Sequence, residues 1–423
     1  NIIHILSTPR SSSTALERSL FNSSAIDIQI NDVWANYRDK DRISKVYQQI
    51  LNEVKNALKK KNKITVLIKS IADYIPPGDE YGKMCRLVSN TIVLIRNPIL
   101  QMESLLRVMA ESLSGNRSII HGLTMDDYAK NSGYPNWKEM QLSVVQEKSY
   151  YKYEKILKIY FPIEQEAHGM DYMRVPIIEN LREETVQGMG FQSLDSYAKQ
   201  NNYPGWSNLV SSIKLNSKIV NNLGPLLEYI FQCRITGWEA LIQHIQTMDK
   251  LYYPYIVIDS TMFRLLPSEF LKEISRKIGI EFSNSLVNWK GVNKNFNPGD
   301  DEGISYYQKV IDSVKIEPPS ELPCELRCFP EFVIQHILSS GGALEVYLSL
   351  FSKIRNQFGN EIMLKMLDCN CNGATFKDID PVFTYSIYKF LNDEKKAYDM
   401  KNRHTEFSTI FTVVDEYFKN HQK

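Results

Sequence analysis

The chain reads as an α/β protein: a parallel sheet flanked by helices, with a large helical insertion and a helical C-terminal region. Short β-rich runs, Ile2 to Leu6, Ile64 to Ile68, Thr91 to Ile95 and Tyr255 to Ile258, alternate with stretches of helical period. Strands separated by helices pair in parallel, with both sheet faces covered. Composition agrees, since 43% of the 423 residues are hydrophobic and 23% are charged. At roughly 150 residues per domain, that length suits two or three domains, or one large domain with an insertion. Lys+Arg 50 against Asp+Glu 49 leave a net charge of +1, which removes the basic excess that a non-specific nucleic-acid binder needs. No run of about 18 apolar residues is present, so no membrane span is predicted. No signal-peptide pattern opens the sequence at Asn1, and a cytoplasmic location is the expectation.

Along the first third, the run Ile2 to Leu6 leads through Thr8-Pro9-Arg10-Ser11-Ser12-Ser13-Thr14 into a helix whose apolar face carries Ala15, Leu16 and Leu20. A weaker strand over 25–30 precedes an amphipathic helix over 43–58, which ends in Lys59, Lys60, Lys61, Asn62 and Lys63. That charge run suits a solvated helix C-terminus. Strands over 64–68 and 91–95 follow. A further strand over 255–258 leads into a helix pattern over 265–278. The α/β core is thus assigned to 1–113 and 251–299, the insertion to 114–250 and the C-terminal region to 300–423.

The insertion contains a duplication. Tyr128, Ala129, Lys130, Tyr134, Pro135 and Trp137 recur as Tyr197, Ala198, Lys199, Tyr203, Pro204 and Trp206, all at an offset of 69. Two copies over 128–137 and 197–206 are too few for a solenoid. They read as a repeated helix-turn element packing its aromatics, or as a duplicated lid over an acceptor. The six cysteines are too few for a disulfide scaffold. Cys324/Cys328 and Cys369/Cys371 are loosely spaced for a four-thiolate zinc site; they fall among helical patterns, so ordinary thiols and no metal are expected.

Two segments point to phosphate. Thr8 to Thr14 runs from a strand into a helix through Pro, Arg and small hydroxyl residues. Free N–H groups at a helix start, the helix dipole and short side chains together favour an anion. Ser13 and Thr14 add hydroxyl donors, and Arg10 adds a permanently charged fork. The glycines and lysine of a GxxxxGK[ST] loop are missing. The second segment is Arg96 at the carboxyl end of a strand, the ligand-binding edge of open α/β sheets, with Ser104 eight residues on.

Together these segments resemble the PAPS-dependent sulfotransferase family, where PAPS is 3′-phosphoadenosine 5′-phosphosulfate. The family's first loop has the form T-x-P-[KR]-S-G-[ST]-T, and Ser7 to Thr14 fall on it position by position. The resemblance implies that Arg10, Ser11, Ser12, Ser13 and Thr14 hold the 5′-phosphosulfate and that Arg96 and Ser104 hold the 3′-phosphate. It also matches the strand-helix unit at 254–282, and spans about 1–115 and 250–295. Lys290-Gly291 corresponds to a late Lys-Gly element that touches the 3′-phosphate. Ser12 departs from the family's glycine, so either no positive φ is needed there or the loop geometry differs.

The implied function is sulfuryl transfer from PAPS to a hydroxyl or amine by in-line displacement. Arg10 is the group for the bridging and sulfuryl oxygens, and Lys69, read at the end of its strand, reaches the sulfuryl group. Many family members use a His just after that Lys, but position 71 is Ile and position 73 is Asp, while other members use an acidic residue after the second strand, the region that Asp32 occupies. The candidate bases are therefore Asp32, then Asp73, then His121, while His168 cannot be placed and His4 reads as a satisfied core residue. Partners are a small-molecule, sugar or peptide acceptor under the insertion. The alternatives are a phosphotransferase using another nucleotide and a non-catalytic nucleotide-binding or interaction protein.

Overall fold

The computed structural model describes residues 1–31, 42–76, 78–105, 135, 187, 192–200, 204–206, 236–289, 296, 310–319, 331–339, 341–371, 374–375 and 380–421. The chain divides into two compact units. The first comprises Asn1–Gln101, Arg234–Pro323 and Ile337–Lys423; the second comprises Met102–Cys233 and Cys324–His336. The C-terminal helices from Ala343 onward thus fall in the same unit as the sheet.

The first unit is built on five parallel strands, β1 (Ile2–Ser7), β2 (Ile28–Asn31), β3 (Val66–Ile71), β4 (Asn90–Ile95) and β5 (Tyr255–Asp259), in the order β2-β3-β1-β4-β5. The α/β class and the parallel sheet are as the sequence predicts. Interior strands are buried on both faces, so they are written almost wholly in apolar residues: Ile3, Ile5 and Leu6 on β1 and Ile92 to Ile95 on β4 are fully buried. From β1 the chain turns to β2 and β3 on one side, then crosses to β4 and β5 on the other. The reversal falls between β1 and β4, whose carboxyl ends are the ligand position of doubly wound sheets.

Helices α1 (Ser13–Phe21), α2 (Arg42–Leu58) and α3 (Asp79–Leu87) connect the first four strands. The helix expected over 265–278 is α6 (Pro267–Ile278), and a break at Leu266 separates it from α5 (Ser260–Leu265), with α4 (Trp238–Lys250) preceding β5. Pro267 is the reason. It has no N–H to continue a helix and disfavours a helical residue before it, so Leu266 leaves helical geometry at φ −125° and ψ 57°. Asp259 caps α5 by accepting from the N–H groups of Thr261 and Met262.

The C-terminal region contributes α7 (Ala343–Phe358), α8 (Asn360–Leu367), α9 (Pro381–Phe390), α10 (Glu394–Arg403) and α11 (Ser408–His421), with a short antiparallel ladder between Asn370–Cys371 and Ala374–Thr375. Its aromatics join the core. Tyr347 meets the ring of Trp238 edge-on at 6.3 Å, and Phe351 meets Phe383 edge-on at 5.0 Å. In the second unit, Leu194–Gln200 is a short helix opened by reciprocal Ser193/Ser196 bonds. Asp195 accepts from the N–H of Trp206 at 2.8 Å, tying the helix of the second repeat copy to its following turn. Asp126 lies 69 residues earlier, so the duplication extends to this carboxylate. The first copy lies outside the described residues apart from Pro135.

His4 is buried, but it is not satisfied: neither ring nitrogen has a hydrogen-bond partner. Burial, reinforced by His244, lowers its pKa to about 3, so the imidazole packs as a neutral ring beside Tyr81. Among the described residues, no helix is long and apolar enough to cross a membrane.

Candidate anion-binding site

Residues 8–12 leave β1 at its carboxyl end and enter α1. Arg10 (φ 61°) and Ser12 (φ 62°) both take left-handed backbone conformations. Ser12 therefore adopts the positive φ at a position where it has no glycine's freedom. As N-cap, its carbonyl accepts from Ala15 and Leu16, while its side chain makes no capping bond. A left-handed residue followed by the right-handed first turn of α1 gathers successive N–H groups into a concave nest, at the positive end of a helix dipole. Ser12→Gly is expected to raise stability by about 0.5–1 kcal/mol, because relief of left-handed strain outweighs the added unfolded-state entropy. Denaturant midpoints of the two proteins check this.

The loop is held from three directions. Thr8 and Ser11 are buried, and their hydroxyls bond to each other. Arg96, at the end of β4, donates from Nη1 to the Arg10 carbonyl at 3.0 Å. Gln101 donates from Nε2 to the Pro9 carbonyl at 3.0 Å and to the Thr236 carbonyl at 2.9 Å, and accepts from Trp238 Nε1 at 2.8 Å. The turn at 236–238 lies directly against the loop. A Cβ on Gly237 would stand 2.7 Å from Pro9 Cδ and 3.1 Å from Thr8 Cα.

Behind Arg96 stands a buried polar network. Asn97 donates to both oxygens of Asp380, the N-cap of α9, at 3.1 and 3.0 Å. Burial pushes the Asp380 carboxyl up to about 6, and bonds from Phe383 and Asn97 together with the Arg96 charge hold it from rising further. Asp259 is likewise pushed up by burial to about 7, and accepts from the Tyr347 hydroxyl at 3.2 Å. The C-terminal region thus supplies a carboxylate to the rear of the loop.

Arg10, Ser11, Ser12, Ser13 and Thr14 follow one another through the loop into the first turn of α1, and Arg96 joins them through the Arg10 carbonyl. Ser104 is half-buried on helical residues 98–105 and belongs to the second unit. Lys69 requires a correction. It lies within β3 rather than at its end, because the strand runs on to Ile71. Its side chain is 1% exposed and pairs at 3.5 Å with Glu17 of α1, whose other oxygen accepts from Gln29. That ion pair commits the ammonium to the α1–β3 interface.

Asp73 sits in the 3₁₀ turn Ala72–Tyr74 after β3. Burial raises its pKa to about 8, a backbone bond from Gly237 opposes the rise, and the nearby charge of Glu239 adds to it. Its Oδ2 is buried without a hydrogen-bond partner. Since Gly237 touches both Thr8 and Pro9, Asp73 is one residue's thickness from the loop. Asp32, Lys290, Gly291, His121 and His168 lie outside the described residues. Trp289, which precedes Lys290, is stacked by the Arg18 guanidinium of α1 at 4.8 Å.

Gln101, Gly237, Trp238, Glu17 and Asp380 carry no motif in the sequence. The loop sets the free N–H groups at the start of α1 beside the hydroxyls of Ser13 and Thr14, the elements from which an anion site is built. No protein-family model matches the chain, and no curated protein or solved structure is significantly similar to it.

Proposed function

We propose that this protein transfers a sulfuryl group from PAPS to a hydroxyl or amine acceptor. The observation that carries the reading is the left-handed turn at Arg10 and Ser12, held by Arg96 through the Arg10 carbonyl. It joins the two sequence segments that resemble the sulfotransferase phosphate contacts. In this reading the nest and Ser13/Thr14 take the 5′-phosphate, Arg10 takes the sulfuryl oxygens, and Arg96 takes the 3′-phosphate. Asp73 acts as base. The acceptor oxygen or nitrogen attacks sulfur and its proton passes to the Asp73 carboxylate. The bond from sulfur to the bridging oxygen breaks, and 3′-phosphoadenosine 5′-phosphate leaves with that electron pair. Lys69 has no step in this scheme, because Glu17 neutralises it.

The test is calorimetric titration with 3′-phosphoadenosine 5′-phosphate, ADP and ATP, using the wild type and Arg96→Ala. Binding that requires the 3′-phosphate and weakens roughly 10- to 100-fold in Arg96→Ala supports the reading, the size expected for losing a charge-assisted contact. A preference for ATP transfers the site to phosphoryl chemistry. No nucleotide binding removes the enzyme reading.

A further inference from the structure

A buried amide between the loop and the 236–238 turn has no counterpart in the motifs that suggested the function. Gln101 is fully buried, and both ends of its side chain are engaged. Nε2 reaches the carbonyls of Pro9 and Thr236, and Oε1 accepts from the Trp238 indole. Arg96 holds the next loop carbonyl, that of Arg10. Two successive loop carbonyls are therefore drawn toward the segment that follows β4. In a trans peptide the N–H points opposite to the C=O of the same unit, so these bonds turn the N–H groups of Arg10 and Ser11 the other way. The amide is also neutral. A lysine here would compete for the anion, and a carboxylate would repel the two carbonyls.

The same side chain fixes the turn that carries Gly237, and Gly237 both packs on Thr8 and Pro9 and donates to Asp73. We infer that Gln101 is a positioning residue: it sets the donor direction of the anion loop and couples loop occupancy to the proton on Asp73. The inference rests on the anion-site reading above.

The experiment measures binding of inorganic pyrophosphate to the full chain by calorimetry at pH 8, in two buffers of different ionisation enthalpy, which also gives the protons exchanged. Wild type is expected to bind with proton uptake by the protein, because a nearby polyanion favours the protonated carboxyl. Gln101→Glu keeps the side chain's shape but sets an oxygen against two carbonyls. Its affinity is expected to fall roughly 10- to 100-fold, with the uptake lost, as misdirected donors no longer converge on the ligand. Gln101→Met, which removes all three bonds without adding charge, is expected to behave alike and carries the test if the glutamate variant does not fold. Trp238→Phe removes the indole donor to Gln101 Oε1 but leaves both carbonyl bonds of Nε2, and is expected to weaken binding less than either Gln101 variant. Wild-type affinity and proton uptake in either folded Gln101 variant overturn the positioning role while leaving the anion site intact. Absence of pyrophosphate binding in the wild type overturns the site and the role together.

Discussion

Asp73→Asn is expected to lower turnover by about 10²- to 10⁴-fold, the usual contribution of a positioned base, while nucleotide affinity changes little. Asp73 follows β3 at the carboxyl edge of the sheet, Gly237 donates to it, and Gly237 lies against the loop. Asparagine keeps an acceptor for Gly237 but takes no proton. With the carboxyl raised to about 8, the active ionised form grows as pH rises, so the wild-type rate should climb through pH 8 and the climb should vanish in the variant. Stability gives an independent check on the same group. Because the folded pKa lies above the unfolded value, the carboxyl's contribution is full below about pH 4 and is lost as pH rises through 8. The asparagine variant escapes that loss, so its stability relative to wild type should improve with pH. Lost turnover together with an improved stability curve separates a missing base from a damaged fold. Full activity in Asp73→Asn would return the role to Asp32 or His121.

The elements legible in the sequence are those whose evidence is local. β1, β4 and β5 are short apolar runs bounded by turn residues, and periodicity alone finds them. The phosphate loop is legible because strand, small hydroxyl residues and helix are contiguous. Lys69 was misplaced because β3 begins at Val66 and continues to Ile71, two to three residues beyond the run of apolar residues that predicted it. Nothing local marks Glu17 as buried. A carboxylate on the first turns of an amphipathic helix reads as solvent-facing, and only the fold shows it meeting Lys69 and Gln29. The supports of the loop were hidden for a related reason. Gln101 acts on Pro9 across 92 residues and on Thr236 across 135, and Asn97 reaches Asp380 across 283. Such contacts depend on sheet closure and leave no spacing to read. Ser12 shows the converse: the left-handed turn persists without its glycine, because Gln101 and Arg96 hold the carbonyls of Pro9 and Arg10 just before it.

The same support makes Gly237→Ala the most crowded alanine substitution at any glycine among the described residues. One methyl would enter a space where Pro9 Cδ stands at 2.7 Å and Thr8 Cα at 3.1 Å, on a residue whose φ is +81°. Neither neighbour yields easily. Pro9 is a ring with its carbonyl held by Gln101, and Thr8 Cα is backbone at the end of β1. Left-handed strain and overpacking together are expected to remove about 2–4 kcal/mol of stability. The displaced loop should also bind pyrophosphate far more weakly than wild type. Gly82→Ala is the matched control: it lies inside α3, and the nearest atom to its added Cβ is Leu251 Cδ1 at 3.7 Å. That contact is ordinary and alanine favours the helix, so this variant should gain up to about 1 kcal/mol. Denaturant unfolding of both variants, followed by pyrophosphate titration of whichever folds, separates a general intolerance of added methyls from one confined to the loop. Equal, mild effects at the two positions would mean that the 236–238 turn can withdraw from Pro9 and that the loop keeps its shape without it.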